Sequence, residues 1–298
     1  MVSHTFDNSF IHFYGIINHG DNMDGILVIH KEASMTSHDV VMRLRRILHI
    51  KKIGHSGTLD PQATGVLLVL VGRACKALPY LEDTDKEYVA EMQLGKQMTT
   101  DDIWGEVMRE QAVVPITDFK KVLKSFEGII QQVPPMISSV KVNGRKLYEY
   151  ARAGEEVERP VRNVTIYETE VLDEGAMRFR VACSSGTYIR TLCVDFAEKT
   201  GNLGFMSSLV RTSVGRFNLQ DALTLDEIEA GKLELHSLME LFKERELIAY
   251  EPVLDVFQGK KIHINAQQDE VMIVHDQDII AVYQRVQGDL FRCARGMW

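Results

Sequence analysis

Cysteine and proline are scarce in this chain, with 4 and 7 residues in 298. Cys75, Cys183, Cys193 and Cys293 stand far apart with no C-x-x-C pair. That spacing excludes a zinc ribbon and fits reduced core thiols better than a disulfide framework, so no metal is expected. Long hydrophobic runs are missing too. The longest aliphatic stretch, 66–71, has six residues, against roughly twenty for a bilayer-crossing helix. Residues 1–22 contain neither Lys nor Arg, so the basic start of a secretory signal is absent and a cytoplasmic protein with no membrane contact is expected. No G-x-x-x-x-G-K-[ST], G-x-G-x-x-G or H-E-x-x-H occurs, which disfavours nucleotide-driven, dinucleotide and zinc-protease chemistry. Internal repeats and low-complexity tracts are also absent.

What is present suits a packed core. Hydrophobic residues make up 45% of the chain, and the length suggests one large domain plus a small one. The net charge of -8 argues at first sight against a phosphate-rich partner. Its distribution argues otherwise. Between Val40 and Leu59 lie Arg43, Arg45, Arg46, Lys51 and Lys52 with no acid, whereas Thr224–Glu251 carries eight acids and three bases. Alone, the basic run would read as a solvated helix face. Its position directly before the most informative segment of the chain favours a surface that faces a phosphate-rich partner.

That segment is Gly54-His55-Ser56-Gly57-Thr58-Leu59-Asp60-Pro61-Gln62-Ala63-Thr64-Gly65-Val66-Leu67. Closely spaced glycines and a proline force tight turns, and the β-branched run from Val66 to Val71 has the length of a fully buried strand. Asp60 therefore sits on a stiff loop beside the core. An Asp before Pro ordinarily does no more than start a turn. A nucleophile elbow, G-x-S-x-G, would need glycine in place of Thr58 and a strand before the turn.

Elsewhere, Ile26–Ile29 reads as a strand. Thr36-x-x-Asp39 offers a capping box to a helix with Val40, Val41, Leu44, Ile47 and Leu48 on one face. Glu87–Leu94 and Met177–Cys183 alternate as half-buried strands do. Ser184-Ser185-Gly186-Thr187 reads as a turn supplying capping hydroxyls to a helix through Ile189, Leu192, Cys193 and Phe196 that stops near Gly201. Thr224–Tyr250 is acidic and helical in pattern. Short β-like runs follow at 261–264, 271–274, 279–283 and 290–294, with a domain boundary placed near Glu240–Pro252.

The run from Gly54 to Leu67 closely resembles the catalytic loop of the pseudouridine synthases, in the TruB-type branch that modifies the T arm of transfer RNA. Three further segments resemble the same family in the same order: Lys86-Glu87-Tyr88, Ser185-Gly186-Thr187-Tyr188-Ile189-Arg190, and Leu209-Val210-Arg211-Thr212-Ser213-Val214-Gly215. The resemblance implies that Asp60 is the essential catalytic residue and that Tyr88 contacts the target uracil. It also implies that Leu209 packs on the uracil's other side, that Tyr188 supports the pocket, and that Arg190 pairs with Asp60. Such a pair would lower the carboxyl pKa by charge proximity. His55 is the implied occupant of the gap left by a flipped nucleotide. A turn histidine bonded to its own loop is the alternative.

The stretch Val133–Lys141 with Gly144–Arg152 resembles a thumb-like, RNA-gripping insertion around 95–160, in which Lys141, Arg145, Lys146 and Arg152 would meet phosphates. A surface helix with the same charges is equally compatible. Lys31 and Lys76 are further substrate-binding candidates. The chain departs from the family pattern at His30-Lys31-Glu32, where Asp-Lys-Pro is usual, and at Ser34, Cys75, Met98 and Ser139. Family members typically begin near a match to Met23, so residues 1–22 are expected to be an extension.

The expected fold is α/β (α+β): a mixed, largely antiparallel sheet flanked by helices over 23–240, then a small β-rich, PUA-like domain over 250–298. The expected reaction is isomerisation of uridine to pseudouridine at position 55 of the transfer RNA T loop, with no cofactor, in a monomer. An RNA-binding protein that helps transfer RNA fold would use the same surface without needing Asp60.

Overall fold

The computed structural model describes residues 23–81 and 84–298. The extension expected at residues 1–22 lies outside the described residues. The first half of the chain runs β1 (Gly25–Lys31), α1 (Ser37–Leu48), β2 (Ile53–His55), β3 (Thr64–Val71), a 3-10 segment at Gly72–Tyr80, β4 (Lys86–Leu94), β5 (Lys96–Met98), β6 (Val107–Glu110), α2 (Phe119–Lys124) and β7 (Gly128–Gln132). Next come β8 (Lys141–Val142), β9 (Arg145–Lys146), α3 (Leu147–Ala153), β10 (Arg162–Asp173), β11 (Arg178–Cys183), α4 (Ile189–Lys199), β12 (Gly204–Val214) and β13 (Phe217–Asn218). The chain ends with α5 (Leu225–Glu229), α6 (Leu238–Leu241), β14 (Leu247–Ala249), α7 (Val253–Phe257), β15 (Ile262–His263), β16 (Glu270–His275), β17 (Asp278–Gln287) and β18 (Leu290–Gly296).

The main sheet has the order β1-β3-β12-β4-β11-β10-β7, with β2 on β3 and β13 on β12. Its pairs are antiparallel except β12 with β3, which run parallel through Val210–Thr64 and Arg211–Gly65. This is the mixed, largely antiparallel sheet expected.

Two-sided burial explains the unbroken apolar sequence of β3. Val66, Leu68 and Leu70 point into one core with Ile26 and Val28, while Leu67, Val69 and Val71 point into another with Leu27 and Ile29. Helix α1 covers the second core through Val40, Val41, Leu44 and Leu48. Its start has the expected box: Thr36 accepts from the Asp39 amide at 3.1 Å, and Asp39 accepts from the Thr36 amide at 2.8 Å. The first core is closed by the five-stranded sheet β14-β16-β17-β18-β15, which contributes Met272, Ile279 and Val282. The C-terminal sheet thus shares a core with the main sheet, and α4 and α2 build a third core on β4, β11 and β12.

Two sequence expectations need revision. The hydroxyls of Ser184–Thr187 do not cap α4: its N-cap is Tyr188, without a side-chain cap bond. Thr187 Oγ1 donates to the Ser184 carbonyl at 2.9 Å, and Ser184 Oγ accepts from the Thr165 amide at 2.9 Å, so both hydroxyls serve the turn and sheet edge. The basic run before Asp60 is not all free for RNA. Arg43 pairs with Asp226 and, at 2.7 Å, with Glu229. The acidic and basic segments therefore meet where α5 crosses α1, and part of each charge cancels locally.

Candidate active site

Parallel pairing of β3 with β12 is brief, and the site forms where it stops. Strand β3 covers only Val210 and Arg211 of β12. Nearer the start of β12, residues 101–103 take over the same edge: Met206 N donates to the Asp101 carbonyl at 3.1 Å, and Ile103 N donates to the Met206 carbonyl at 2.9 Å. The gap between receives the loop that enters β3, which carries Asp60.

That loop is held from several sides. Ser37, buried in the first turn of α1, accepts from the Leu59 amide at 2.9 Å. The Asp60 carbonyl accepts from the Ala63 amide at 3.1 Å, and Ser56 N donates to the Leu68 carbonyl at 3.0 Å. Lys31 Nζ donates to the carbonyls of Glu32, Met35 and Pro61 at 2.8, 2.8 and 3.0 Å. Gly65 has φ +107°, and an added Cβ would lie 2.1 Å from the Arg211 carbonyl, so glycine is required for the two strands to approach.

Arg190, in the first turn of α4, meets Asp60 with a two-pronged pair: Nε to Oδ2 at 3.0 Å and Nη2 to Oδ1 at 3.1 Å. The guanidinium also donates to the Thr100 carbonyl at 3.0 Å and the Ile137 carbonyl at 2.7 Å. Its side chain is 4% exposed, and that of Asp60 is 29% exposed. The carboxylate thus faces an opening while its partner is enclosed. Fork geometry fixes the plane of the carboxylate as well as its position.

Burial pushes the Asp60 carboxyl above the usual range and outweighs the opposing pull of Arg190. The expected net lowering does not occur, because a partly dehydrated carboxylate loses more from lost water than one partner returns. Asp102 lies 3.9 Å from Arg190 on the other side, fixed by Thr100 Oγ1 at 2.6 Å and the Trp104 amide at 3.1 Å.

Tyr88 and Leu209 lie on adjacent strands of the same sheet face. Tyr88 pairs in register with Arg211, and Leu209 with Ala90. Directly opposed residues of an antiparallel pair project to one side. Tyr88 and Leu209 are buried at 7% and 8% exposure in one cluster with Leu59. They stand side by side as neighbours on that face. Tyr188 is half-buried at the start of α4 with Ser138 beside its hydroxyl. Burial raises the phenol pKa of both tyrosines. His55, half-buried at the end of β2, is held below its ordinary pKa by burial and then by the Arg211 charge, which favours neutral imidazole.

The remaining candidates divide. Lys141 and Arg152 are exposed, on β8 and α3 respectively, with Arg152 lying 5.4 Å from the Tyr148 ring centroid. Lys31, expected to bind substrate, is instead fully enclosed at 0% exposure. Its donors are spent on the three carbonyls, and burial pushes its pKa down to about 8. It braces the residue next to Asp60 and offers nothing to RNA. Lys76, also expected at the substrate, sits in the 3-10 segment that follows Val71 and donates to the Trp298 carbonyl. Asp60 precedes the other end of β3, a strand about 26 Å long, so Lys76 belongs to the join with the C-terminal sheet.

Sequence reasoning missed three residues. Arg211 is buried at 1% exposure beneath the loop. Asp102 flanks Arg190. Gln132, 2% exposed, clips the start of α4 by accepting from the Tyr188 amide at 2.9 Å and donating to its carbonyl at 3.2 Å. Among the described residues no cluster of His, Cys, Asp and Glu is arranged to hold a metal ion.

Residues 45–189 match the model of the TruB family pseudouridylate synthase N-terminal domain. Residues 190–247 match that of the tRNA pseudouridylate synthase B C-terminal domain. The chain is 45% identical over 289 residues to the tRNA pseudouridine synthase B of Streptococcus pneumoniae, covering 91% of this chain and 98% of that one. The chain belongs to the TruB family of pseudouridylate synthases. A Bacillus anthracis tRNA pseudouridine synthase B is 51% identical over 218 residues, covering 70% of this chain and 71% of that one. A chain in the crystal structure of a Cbf5-Nop10-Gar1 complex superposes with TM-score 0.71 at 25% identity, covering 92% of this chain and 85% of that one. As a member of this family the chain is an isomerase that forms pseudouridine. The second family match ends at residue 247, so β16, β17 and β18 lie beyond both. No described helix is long and apolar enough to cross a membrane.

Proposed function

We propose that this enzyme isomerises uridine 55 in the T loop of transfer RNA, with Asp60 as the catalytic carboxylate. The two-pronged Asp60–Arg190 pair, with the arginine enclosed and the carboxylate partly open to solvent, carries this reading. The transfer-RNA substrate is supported by the names of the S. pneumoniae and B. anthracis relatives. The reaction breaks the bond from ribose C1′ to N1, turns the uracil, and joins C1′ to C5; the C5 proton leaves and N1 gains one. Composition is unchanged, so the step needs neither oxidant nor co-substrate.

Asp60 acts as the anion. Its exposed face meets the flipped nucleoside, and it serves either as nucleophile or as a stabiliser of developing positive charge. Both roles require the ionised form. Arg190 holds the carboxylate oriented, and its charge favours the ionised form against the burial that opposes it. Tyr88 and Leu209 supply the apolar wall for the released uracil, with stacking on the tyrosine contributing roughly 1–3 kcal/mol. Tyr188 closes the wall beside Arg190, and His55 fills the gap in the RNA stack. Lys141 and Arg152 grip phosphates from the thumb-like region. The protein acts as a cytoplasmic monomer, and the C-terminal sheet extends the RNA-binding surface.

Pseudouridine mapping tests this reading. Transfer RNA from cells lacking the protein should have unmodified uridine at position 55, and added pure enzyme should restore pseudouridine there without metal or nucleotide. Restoration at another position would refute the site assignment.

A further inference from the structure

Arg211 is among the largest fully buried side chains of the protein, yet it forms no ion pair with any described carboxylate. Its donors go to main-chain carbonyls: Nε to Val66 at 2.7 Å, Nη2 to Gly57 at 3.3 Å and Nη1 to Thr58 at 3.4 Å. Val66 belongs to β3, and Gly57 and Thr58 belong to the loop that carries Asp60. On the adjacent strand Tyr88 stands directly opposite Arg211, and the guanidinium charge opposes the rise that burial causes in the phenol pKa. A buried cation that has carbonyl acceptors but no carboxylate partner is costly, so its placement calls for a use.

We propose that Arg211 is a positioning residue that fixes the spacing between the Asp60 loop and Tyr88. A guanidinium only donates. Its three donors tie β3 and the Asp60 loop to the strand position that faces Tyr88. One planar group thus registers the carboxylate that meets the ribose against the ring that meets the base.

This inference rests on the proposed reaction. The test is single-turnover release of C5 tritium from labelled T-arm RNA by wild type, R211K, Y88F and the double variant, with rates expressed per folded molecule. R211Q is carried in parallel in case R211K folds poorly. An ammonium lacks the planar fork that reaches Val66, Gly57 and Thr58 together, and misplacement by about 1 Å costs about 100-fold in rate. R211K and R211Q should therefore slow the reaction at least about 30-fold while RNA affinity stays within about threefold. Amide exchange of residues 56–60 should quicken in R211K and stay unchanged in Y88F. The double variant should be no more than about threefold slower than the slower single variant, the mark of two groups acting as a unit. An active wild type with R211K within threefold of it, or a double-variant loss equal to the product of the single losses, would overturn the inference alone. An inactive wild type would overturn the proposed function and this inference with it.

Discussion

Replacing Arg190 with lysine keeps one positive charge and removes the fork. The guanidinium makes four bonds, at 3.0 and 3.1 Å to Asp60, 3.0 Å to Thr100 and 2.7 Å to Ile137. A single ammonium at that depth reaches about two of these acceptors. Each lost bond to a charged group costs about 1.5–3 kcal/mol, and charge retention offsets part of the sum, leaving a destabilisation of about 2–4 kcal/mol. At roughly 2–4 °C per kcal/mol for a domain of this size, Arg190→Lys should melt about 5–15 °C lower by differential scanning calorimetry. The carboxylate plane would no longer be fixed, so single-turnover pseudouridine formation should fall about 100-fold or more. RNA affinity should change little, because Arg190 is almost wholly enclosed. Activity within threefold of wild type, together with a melting point within about 1 °C, would refute the claim that Arg190 orients Asp60.

Three further outcomes are expected. Lys31→Met removes the donor shared by Glu32, Met35 and Pro61; it should destabilise by about 2–4 kcal/mol in urea titrations and slow catalysis without weakening RNA binding, whereas a selective loss of RNA affinity would restore Lys31 as a substrate contact. Asp195, half-buried on α4, has its pKa pushed up to about 6 by burial and then by Glu198 and Asp101. Because that folded value exceeds the unfolded one, its stabilising contribution is complete below about pH 4 and is lost as pH rises through about 6. Asp195→Asn should therefore be more stable than wild type at pH 8 by about 1–2 kcal/mol after solvent screening, and equal to it near pH 4; equal stability at both values would contradict this. Finally, if four exposed cations such as Lys51, Lys52, Lys141 and Arg152 meet phosphates, log affinity should fall with log salt at a slope of about 3. A flat salt response across a tenfold range would show that the basic face has been misread.

Local chemistry was readable where a few residues decide a feature by themselves. The Thr36–Asp39 box marks the start of α1, and the β-branched run after Gly65 marks a strand buried on both faces. Arg190 and Asp60 lie 130 residues apart, and periodicity could not join them; the resemblance did. Arg211 went unrecognised because arginine is rarely fully buried, and its pattern within β12 resembles an outward-facing residue. Gln132 and Asp102 act through bonds to the main chain and to an arginine distant in sequence, which leave no local signature. Lys31 was misassigned for the converse reason: a lysine reads as a solvent-seeking charge until three carbonyls are seen to replace its water. The capping role given to Ser184–Thr187 failed because those hydroxyls found nearer partners in the turn itself.

Asp60→Asn tests the central claim most directly, since it preserves the shape of the side chain and removes its charge. In single-turnover assays with labelled T-arm RNA, the variant should bind with wild-type affinity within about threefold and release no C5 tritium above background. Tritium release at the wild-type rate would show that the carboxylate clasped by Arg190 does not carry the reaction.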